Sequence, residues 1–337
     1  MIKKVKTKIV IIGTGGTIAG RAKVSSDLSY NAAELTVDEL ALSVPGLDEL
    51  ADIVLCDLFS LNSKDMGPIE WIKLALTVKE YAENADISGI VVTHGTDTLE
   101  EAALFLELTL NTPKPVVITG SMRASTALSA DGPSNIYQAV QVSTEASASE
   151  RGVLVVFNGE IYAGWRIMKA HSLNTGAFGS VISPGYLIGN VYPGHTSFFV
   201  PKGFVWHRGF FSSVLTNNSK LPDVVIHYVT AGGSENILSG LQTDSFAGLV
   251  LAAFGSGEIP EVLMPKLIEF AKKGLPIVVS SRVQNAVVLP ETMTLEESET
   301  VIASRHLNPQ KSALLLSLIL ATENSPADIF FRIDLME

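Results

Sequence analysis

The sequence has little cysteine and no long apolar run. Cys56 is its only cysteine, so no disulfide can form within one chain. It ends an apolar run and is therefore interpreted as a small core residue. The longest apolar stretches, at 246–254 and 313–321, fall well short of the ~18 residues of a membrane span. These features predict a cytoplasmic protein, or a periplasmic one if a leader has been removed.

Basic residues are outnumbered by acidic ones. Lys and Arg number 24 against 35 Asp and Glu, which gives a net charge of −11 without a basic run. Such a chain lacks the electrostatic footprint that attracts nucleic acid or an anionic membrane. The six histidines are scattered and do not cluster with the cysteine at metal-ligand spacing. We therefore expect no nucleic-acid partner, no membrane partner and no metal.

Short β-branched runs alternate with helical patterns through the first half of the chain. Continuous apolar strands separated by helices indicate a parallel sheet covered on both faces. Ligands of such sheets bind beyond the carboxyl ends of the strands, where residues 13–20 and 94–98 lie. Strands are predicted at 9–12, 53–56, 90–93, 116–119 and 153–157. Helices are predicted at 37–44, 68–84, 98–110 and 133–147.

The pattern changes in the second half. Glycine, aromatic and hydroxyl residues from about 160 to 201 predict a hairpin region, and residues 201–221 are interpreted as a linker. The length suggests about two domains. We predict an α/β protein with a larger N-terminal parallel-sheet domain at 1–200 and a smaller C-terminal α/β domain at 222–337. The second domain is expected to contain strands at 224–228, 249–253 and 277–280, and helices near 260–273 and 309–322.

The segment Gly13-Thr-Gly-Gly-Thr-Ile-Ala-Gly20 directly follows the first predicted strand. It looks like a dinucleotide-binding loop, but the G-x-G-x-x-G pattern fails because its sixth position is Ile18. A tight turn that needs glycine geometry is the simpler interpretation. That interpretation leaves unexplained the hydroxyl of Thr17, which is flanked by glycines that let a ligand approach closely.

A second segment, Thr93-His-Gly-Thr-Asp-Thr98, also leaves a predicted strand through glycine. Helix capping explains part of the pattern, with Asp97 or Thr98 at the N-cap and Glu100 or Glu101 near the third helical position. Taken alone, the histidine of this segment is more typical of a packed, hydrogen-bonded residue than of a catalyst.

The two segments together resemble the signature segments of the bacterial L-asparaginase/glutaminase family. The resemblance runs from about Lys8 to Phe331 and includes later blocks in register. These blocks are Gly120-Ser-Met-Arg123, Ser129-Ala-Asp-Gly-Pro133, Arg151-Gly-Val-Leu-Val-Val156, Ser280-Ser-Arg-Val283 and Leu307-Asn-Pro-Gln-Lys311.

The resemblance implies a fold, an assembly and catalytic roles. The fold is an N-terminal α/β domain, a linker and a smaller C-terminal α/β domain, usually in a homotetramer built from intimate dimers. Thr17 matches the family's nucleophile, and Tyr30 matches the lid tyrosine that partners it. Thr96 and Asp97 match the second threonine and its carboxylate, and Lys169 matches the lysine grouped with them.

The chemistry is consistent with these residue types. Amide hydrolysis needs a nucleophile, a proton acceptor and donors aimed at the developing oxyanion. Tyr30 can relay the proton of Thr17 towards a carboxylate, and Lys169 can polarise the hydroxyl of Thr96. The backbone N–H of Thr96, near a helix N-terminus, is a candidate oxyanion donor. Asp97 can also bind the substrate's ammonium. We expect Thr17 to attack first, although the order of the two threonines is left open.

Further residues are assigned to substrate binding. Ser63 matches the serine that binds the substrate's α-carboxylate. Lys64 stands where many members carry Gln or Glu against the substrate's amino group. Members often add an asparagine and a glutamate from the neighbouring subunit. Residues 230–234 offer no asparagine in register, and Glu291 is the nearest candidate for the glutamate, with Glu296 as the alternative.

We therefore expect an enzyme that hydrolyses L-asparagine to L-aspartate and ammonia without a cofactor, with L-glutamine as a side substrate. A non-catalytic amino-acid sensor is disfavoured because the matched threonines and lysine are all present. An amidase-like subunit of a tRNA-dependent amidotransferase is disfavoured by the acidic charge and by a first strand that begins by Ile9. A dinucleotide-dependent enzyme is the weakest alternative.

Overall fold

The computed structural model of the chain divides into two units, Met1–Ser212 and Ser213–Glu337. The division falls within the predicted linker, of which 204–207 and 217–219 lie outside the described residues. The limits of the domains and of the linker stay predictions. The structure describes residues 6–22, 30–31, 34–179, 187–203, 208–216, 220–233, 235–241, 243–322 and 324–334.

An eight-stranded sheet forms the first unit, with the order β10-β9-β8-β7-β6-β5-β1-β4. Its strands from β4 to β7 run parallel, and β8, β9 and β10 are added antiparallel. The short strands β2 and β3 pair with each other. In chain order the strands are β1 (Lys8–Gly15), β2 (Arg21–Ala22), β3 (Tyr30–Asn31), β4 (Asp52–Leu61), β5 (Gly89–Thr93), β6 (Val116–Thr119), β7 (Val153–Phe157), β8 (Glu160–Ala163), β9 (Leu187–Tyr192) and β10 (His195–Phe198).

The structure describes five α-helices in this unit, and all but the second lie close to positions predicted from the sequence. They are α1 (Val37–Leu42), α2 (Leu47–Leu50), α3 (Pro68–Glu83), α4 (Leu99–Thr109) and α5 (Gly132–Ser143). Helix α1 begins as predicted after Thr36, which forms a capping box with Glu39. Helix α5 ends earlier than predicted because the hydroxyls of Ser143 and Thr144 bond to carbonyls of its last turn.

Every residue of the central strands β5, β6 and β7 is buried. Apolar runs without alternation are what a parallel sheet with two covered faces requires. The change to antiparallel pairing begins at Asn158-Gly159, where both residues have positive φ, 53° and 83°. This is the backbone that a two-residue hairpin turn needs. The hairpin region predicted from residue 160 onwards is confirmed for the described strands.

The second unit contains a four-stranded sheet with the order β11-β12-β13-β14, in which all neighbours are parallel. Its strands are β11 (Val224–Tyr228), β12 (Gly248–Ala253), β13 (Ile277–Ser281) and β14 (Val301–Ala303). The described helices are α6 (Ser213–Thr216), α7 (Glu235–Ser239), α8 (Met264–Lys272), α9 (Pro309–Ala321) and α10 (Pro326–Asp334). The predicted fold class, a larger and a smaller α/β half, is confirmed.

No helix in the described ranges is long and apolar enough to cross a membrane. Within the same ranges, no three or more His, Cys, Asp or Glu side chains are grouped so that they could hold a metal ion. That the protein works without a metal or cofactor stays a prediction.

Candidate active site

The two glycine-rich segments meet at the carboxyl edge of the first sheet. Strand β1 ends at Gly15 and is followed by Gly16. The two glycines have φ of 93° and 80°, a conformation that favours glycine. A methyl group on Gly16 would lie 2.4 Å from the Cα of Gly95, which is closer than atoms can approach. The absence of side chains therefore lets the backbones touch. Thr17 follows in a 3-10 turn, Thr17–Ala19, and is 8% exposed.

A third segment, the 3-10 turn Ser63–Asp65 after β4, joins this contact. A methyl group on Gly95 would lie 2.5 Å from the Oγ of Ser63. The hydroxyl of Thr98 donates to the carbonyl oxygen of Ser63 at 2.9 Å. Thr98 is the N-cap residue of α4 but makes no side-chain capping bond, so its hydroxyl connects two site segments instead of capping the helix as the sequence suggested.

Lys169 completes the cluster. Its Nζ donates to the Oγ1 of Thr96 at 2.9 Å and to the Oδ1 of Asp97 at 2.6 Å. Thr96 is buried, and the side chain of Lys169 is 19% exposed against 61% for Asp97. The ammonium is thus directed at a buried hydroxyl, while the carboxylate beside it stays accessible to a ligand.

His94 forms a hydrogen bond with the backbone of the second segment. The residue is fully buried, and its Nδ1 lies 2.7 Å from the carbonyl oxygen of Gly95. Because a carbonyl can only accept, this nitrogen carries the ring proton. Burial lowers the pKa of His94 to about 4, so the ring is neutral at pH 7. This agrees with the expected packed histidine that holds the loop backbone.

Family models match both halves of the chain. A family model for the N-terminal domain of asparaginase matches residues 8–198, and one for the glutaminase/asparaginase C-terminal domain matches residues 223–330. The chain belongs to the asparaginase family.

Relatives resemble the chain over nearly its full length. A glutaminase-asparaginase from Acinetobacter glutaminasificans is 36% identical, over 96% of this chain and 98% of the relative. A probable periplasmic L-asparaginase from Haemophilus influenzae is 34% identical, over 94% and 90%. The crystal structure of a probable cytoplasmic L-asparaginase from Campylobacter jejuni superposes with a TM-score of 0.88 at 36% identity, over 98% of this chain and all of the other.

Tyr30, for which the family resemblance predicts the role of a lid tyrosine, lies in β3, and its side chain lies outside the described part of the structure. Ala22 of β2 pairs with Tyr30. The carbonyl oxygen of Ala19 accepts the N–H groups of Glu34 and Leu35, both at 2.8 Å. The chain therefore leaves the Thr17 turn and returns to it, which brings the backbone of Tyr30 back towards this turn.

Lys64 forms an ion pair with its neighbour. Its Nζ lies 2.7 Å from both carboxylate oxygens of Asp65, and 63% of its side chain is exposed. Glu291 lies in the second unit, in the 3-10 turn Pro290–Thr292. The structure thus brings together Thr17, Ser63, Thr96, Asp97 and Lys169. The catalytic and binding roles of these residues, and of Tyr30, Lys64 and Glu291, stay predictions.

One residue near this site has a partner that its sequence context does not predict. The sequence predicts Glu100 as part of a capping box, yet its Oε2 accepts the backbone N–H of Lys169 at 2.7 Å. The contact spans 69 residues, so no local pattern could reveal it. The available signal was an acidic residue within an apolar helical run, where a buried carboxylate needs a specific partner.

Proposed function

We propose that the protein is an L-asparagine amidohydrolase that releases L-aspartate and ammonia through a threonine nucleophile. The contact of the Lys169 ammonium with Thr96 and Asp97 carries this proposal. In this contact the charged Lys169 side chain donates to the buried hydroxyl of Thr96. Thr96 directly follows Gly95, whose backbone touches Gly16 beside the Thr17 turn. Family membership supports the same conclusion, because the relatives are named as asparaginases and glutaminase-asparaginases.

In the first step the Oγ of Thr17 attacks the side-chain amide carbon of the substrate. The hydroxyl proton passes to Tyr30, whose own phenolic proton moves on towards a carboxylate. The carbonyl oxygen becomes an oxyanion, which the backbone N–H of Thr96 stabilises. When the tetrahedral intermediate collapses, the C–N bond breaks, and the amide nitrogen takes up the proton that Thr17 released through Tyr30 and leaves as ammonia. An ester of L-aspartate remains on Thr17.

In the second step a water molecule hydrolyses this ester. Lys169 polarises the hydroxyl of Thr96, which orients the water for attack on the ester carbonyl. A bond forms between the water oxygen and the ester carbon, and the bond to the Thr17 oxygen breaks. The Thr17 oxygen takes up the proton that the water has lost, and L-aspartate is released. A threonine hydroxyl is a weak nucleophile unless neighbouring groups activate it. For this reason Tyr30 is assigned to activation in the first step, and Lys169 with Thr96 to activation in the second.

The substrate's two charged groups are assigned to two segments. Asp97 offers an accessible carboxylate to the α-ammonium, and Ser63 offers its hydroxyl to the α-carboxylate. Ser63 is buried beside Gly95, so its hydroxyl is fixed close to the reacting centre. L-glutamine, which is one methylene longer, is proposed as a side substrate, because such a difference is worth only about 1–3 kcal/mol of discrimination.

Lys64 is proposed to face the substrate's ammonium with its charge neutralised by Asp65. Asp65→Asn should therefore raise the KM for L-asparagine about fivefold at low salt. Two unit charges 4 Å apart repel by about 1 kcal/mol in water, and this corresponds to about fivefold in affinity. The double variant Lys64→Gln/Asp65→Asn should restore the KM, because both charges are then absent. An unchanged KM in Asp65→Asn would place Lys64 beyond the reach of the substrate.

A homotetramer of intimate dimers is proposed, with Glu291 completing the site of a neighbouring subunit. Specific activity should then fall when the protein is diluted until light scattering reports monomers. Glu291→Gln should lower activity without changing the measured mass. A fully active monomer would contradict the shared site and leave the threonine chemistry intact.

A cytoplasmic location is proposed for this enzyme. The single cysteine is consistent with a reducing compartment, and the relative from Campylobacter jejuni is described as probably cytoplasmic. The Haemophilus relative, described as periplasmic, makes a periplasmic location the alternative.

The function is tested by measuring ammonia released from L-asparagine, D-asparagine and L-glutamine by the purified protein. We expect turnover of L-asparagine, slower turnover of L-glutamine, and the same rates after treatment with a chelator. Absence of ammonia from all three amides would overturn the proposed function. Activity that returned only after a metal was added would contradict the metal-free mechanism.

A further inference from the structure

The segment that carries Lys169 pairs with residues 177–179 through an isolated bridge between Lys169 and Phe178. The bridge is formed by hydrogen bonds from the N–H of Ala170 to the carbonyl of Ala177, at 2.7 Å, and from the N–H of Gly179 to the carbonyl of Met168, at 3.2 Å, and His171 adds a bond of 3.2 Å to the carbonyl of Ala177. The opposite side of this bridge is held by Tyr162, whose hydroxyl lies 3.0 Å from the carbonyl oxygen of Phe178. The bonds of this bridge are made by the neighbours of Lys169, so the N–H of Lys169 itself points away from Phe178 and needs another group to accept it.

Glu100 supplies such a group on the lysine side of the bridge. Its carboxylate accepts the backbone N–H of Lys169 at 2.7 Å, and the residue is 3% exposed. Glu100 lies in the first turn of α4, directly after the segment that presents Thr96 and Asp97. This stretch of chain therefore holds Lys169 at two points, through its backbone N–H and through its ammonium.

Burial makes this contact more than incidental. A carboxylate removed from water is costly unless charged or polar groups compensate it, and charge-assisted hydrogen bonds are the stronger kind. The N-cap residue of α4, Thr98, makes no side-chain capping bond. The contact of Glu100 fixes the backbone from which the Lys169 side chain reaches the Oγ1 of Thr96.

We propose that Glu100 is a positioning residue, which acts by holding the backbone of Lys169 so that the ammonium meets Thr96 and Asp97. This inference rests on the proposed function, in which Lys169 polarises Thr96. Misplacement of a catalytic group by about 1 Å can cost about 10²-fold in rate. Loss of the Glu100 contact should therefore lower kcat and leave KM nearly unchanged.

The same helix provides a matched control. Glu107 is also buried, at 1% exposure, and its carboxylate also accepts a backbone N–H, that of Val153 at the start of β7. Val153 has no contact with the Lys169 ammonium among the described hydrogen bonds. Replacing Glu107 therefore reproduces the loss of a buried anchoring carboxylate at a distance from the site.

The experiment compares Glu100→Met with Glu100→Gln in the full-length enzyme. Both side chains are neutral and of similar length, but only glutamine retains an oxygen that accepts the N–H of Lys169. We expect kcat for L-asparagine to fall about 10²-fold in Glu100→Met and less than about tenfold in Glu100→Gln, with KM within a factor of about three in both. Glu107→Met and Glu107→Gln should lower the melting temperature and keep kcat within a factor of about three.

Introducing Glu100→Met into the Lys169→Met variant tests the positioning role of Glu100 separately from the catalytic role of Lys169. If Glu100 acts through Lys169, Glu100→Met should cause no further loss of kcat there. An equal additional loss, or equal kcat in Glu100→Met and Glu100→Gln, would overturn the positioning role. Wild-type turnover in Lys169→Met alone would instead overturn the proposed role of the lysine, and the inference with it.

If Glu100→Met does not fold, amide hydrogen exchange in Glu100→Gln tests the same contact. In Glu100→Gln the amide of Lys169 should exchange faster than in the wild type, because a neutral acceptor replaces a charged one. The amide of Val153 should exchange at its wild-type rate. Unchanged exchange at Lys169 would contradict the inference.

Discussion

Replacing Thr17 with alanine should reduce kcat for L-asparagine by about 10⁴-fold or more, because removal of a catalytic nucleophile costs several orders of magnitude. Thr17 is buried in a turn whose preceding glycine touches the second signature segment. The folded structure should survive the change, since only a hydroxyl and a methyl group are lost. Steady-state ammonia release and thermal unfolding of the purified variant measure both effects.

Thr14 offers a matched control in the same segment. Its buried hydroxyl donates to the carbonyl oxygen of Thr93 at 2.9 Å, a contact between β1 and β5. Thr14→Val should cost about 1 kcal/mol of stability, the usual worth of a hydrogen bond, and retain kcat within about tenfold. Thr17→Ser, which keeps a hydroxyl, should retain measurable turnover. More than a tenth of wild-type turnover in Thr17→Ala would show that another residue is the nucleophile.

Strands could be predicted where both faces of the sheet are buried, because such strands are apolar throughout. The strands at 116–119 and 153–157 were predicted to the residue, because each apolar run is bounded by polar or turn residues. Strand β14 was missed because it is only three residues long, too short to show a pattern. The end of α5 was missed because side-chain hydroxyls, and not a glycine or proline, terminate it.

The site is harder to predict from the sequence than the strands, because it is formed by contacts between distant positions. Local pattern located both glycine segments at strand ends, but their contact at Gly16 and Gly95 joins positions far apart in the sequence. The grouping of Lys169 with Thr96 spans 73 residues and was supplied by family resemblance. Without that resemblance, the pattern of the second segment is also typical of a helix cap. The structure directs the hydroxyl of Thr98 to Ser63 instead.

Lys64 illustrates a further limit. A lysine beside the substrate's ammonium would repel it unless the side chain turns towards Asp65 or towards solvent. Choosing between them requires side-chain geometry. The structure directs the ammonium to both oxygens of Asp65, an exposed pair of the kind that contributes only about 0–1 kcal/mol to stability. Its importance for binding is therefore a separate question, which the Asp65→Asn variant addresses.

Thr96→Val and Lys169→Met should each lower kcat about 10³-fold, and together they should lower it by little more than either alone. The ammonium and the hydroxyl are in direct contact at 2.9 Å, so removing either abolishes the same polarised oxygen. Residues that act as a unit in catalysis are strongly non-additive. Independent action would instead multiply the two losses to about 10⁶-fold, a difference of about 4 kcal/mol in the double-mutant cycle.

Stability provides the control for this cycle. Because the Asp97 side chain is 61% exposed, its ion pair with Lys169 should contribute only about 0–1 kcal/mol to folding. Lys169→Met should therefore change the melting temperature by no more than a few degrees while it removes nearly all turnover. Valine has nearly the shape of threonine and would fit the same buried space, so Thr96→Val should also fold. Losses of kcat that multiply in the double variant would show that the lysine acts on a group other than the Thr96 hydroxyl.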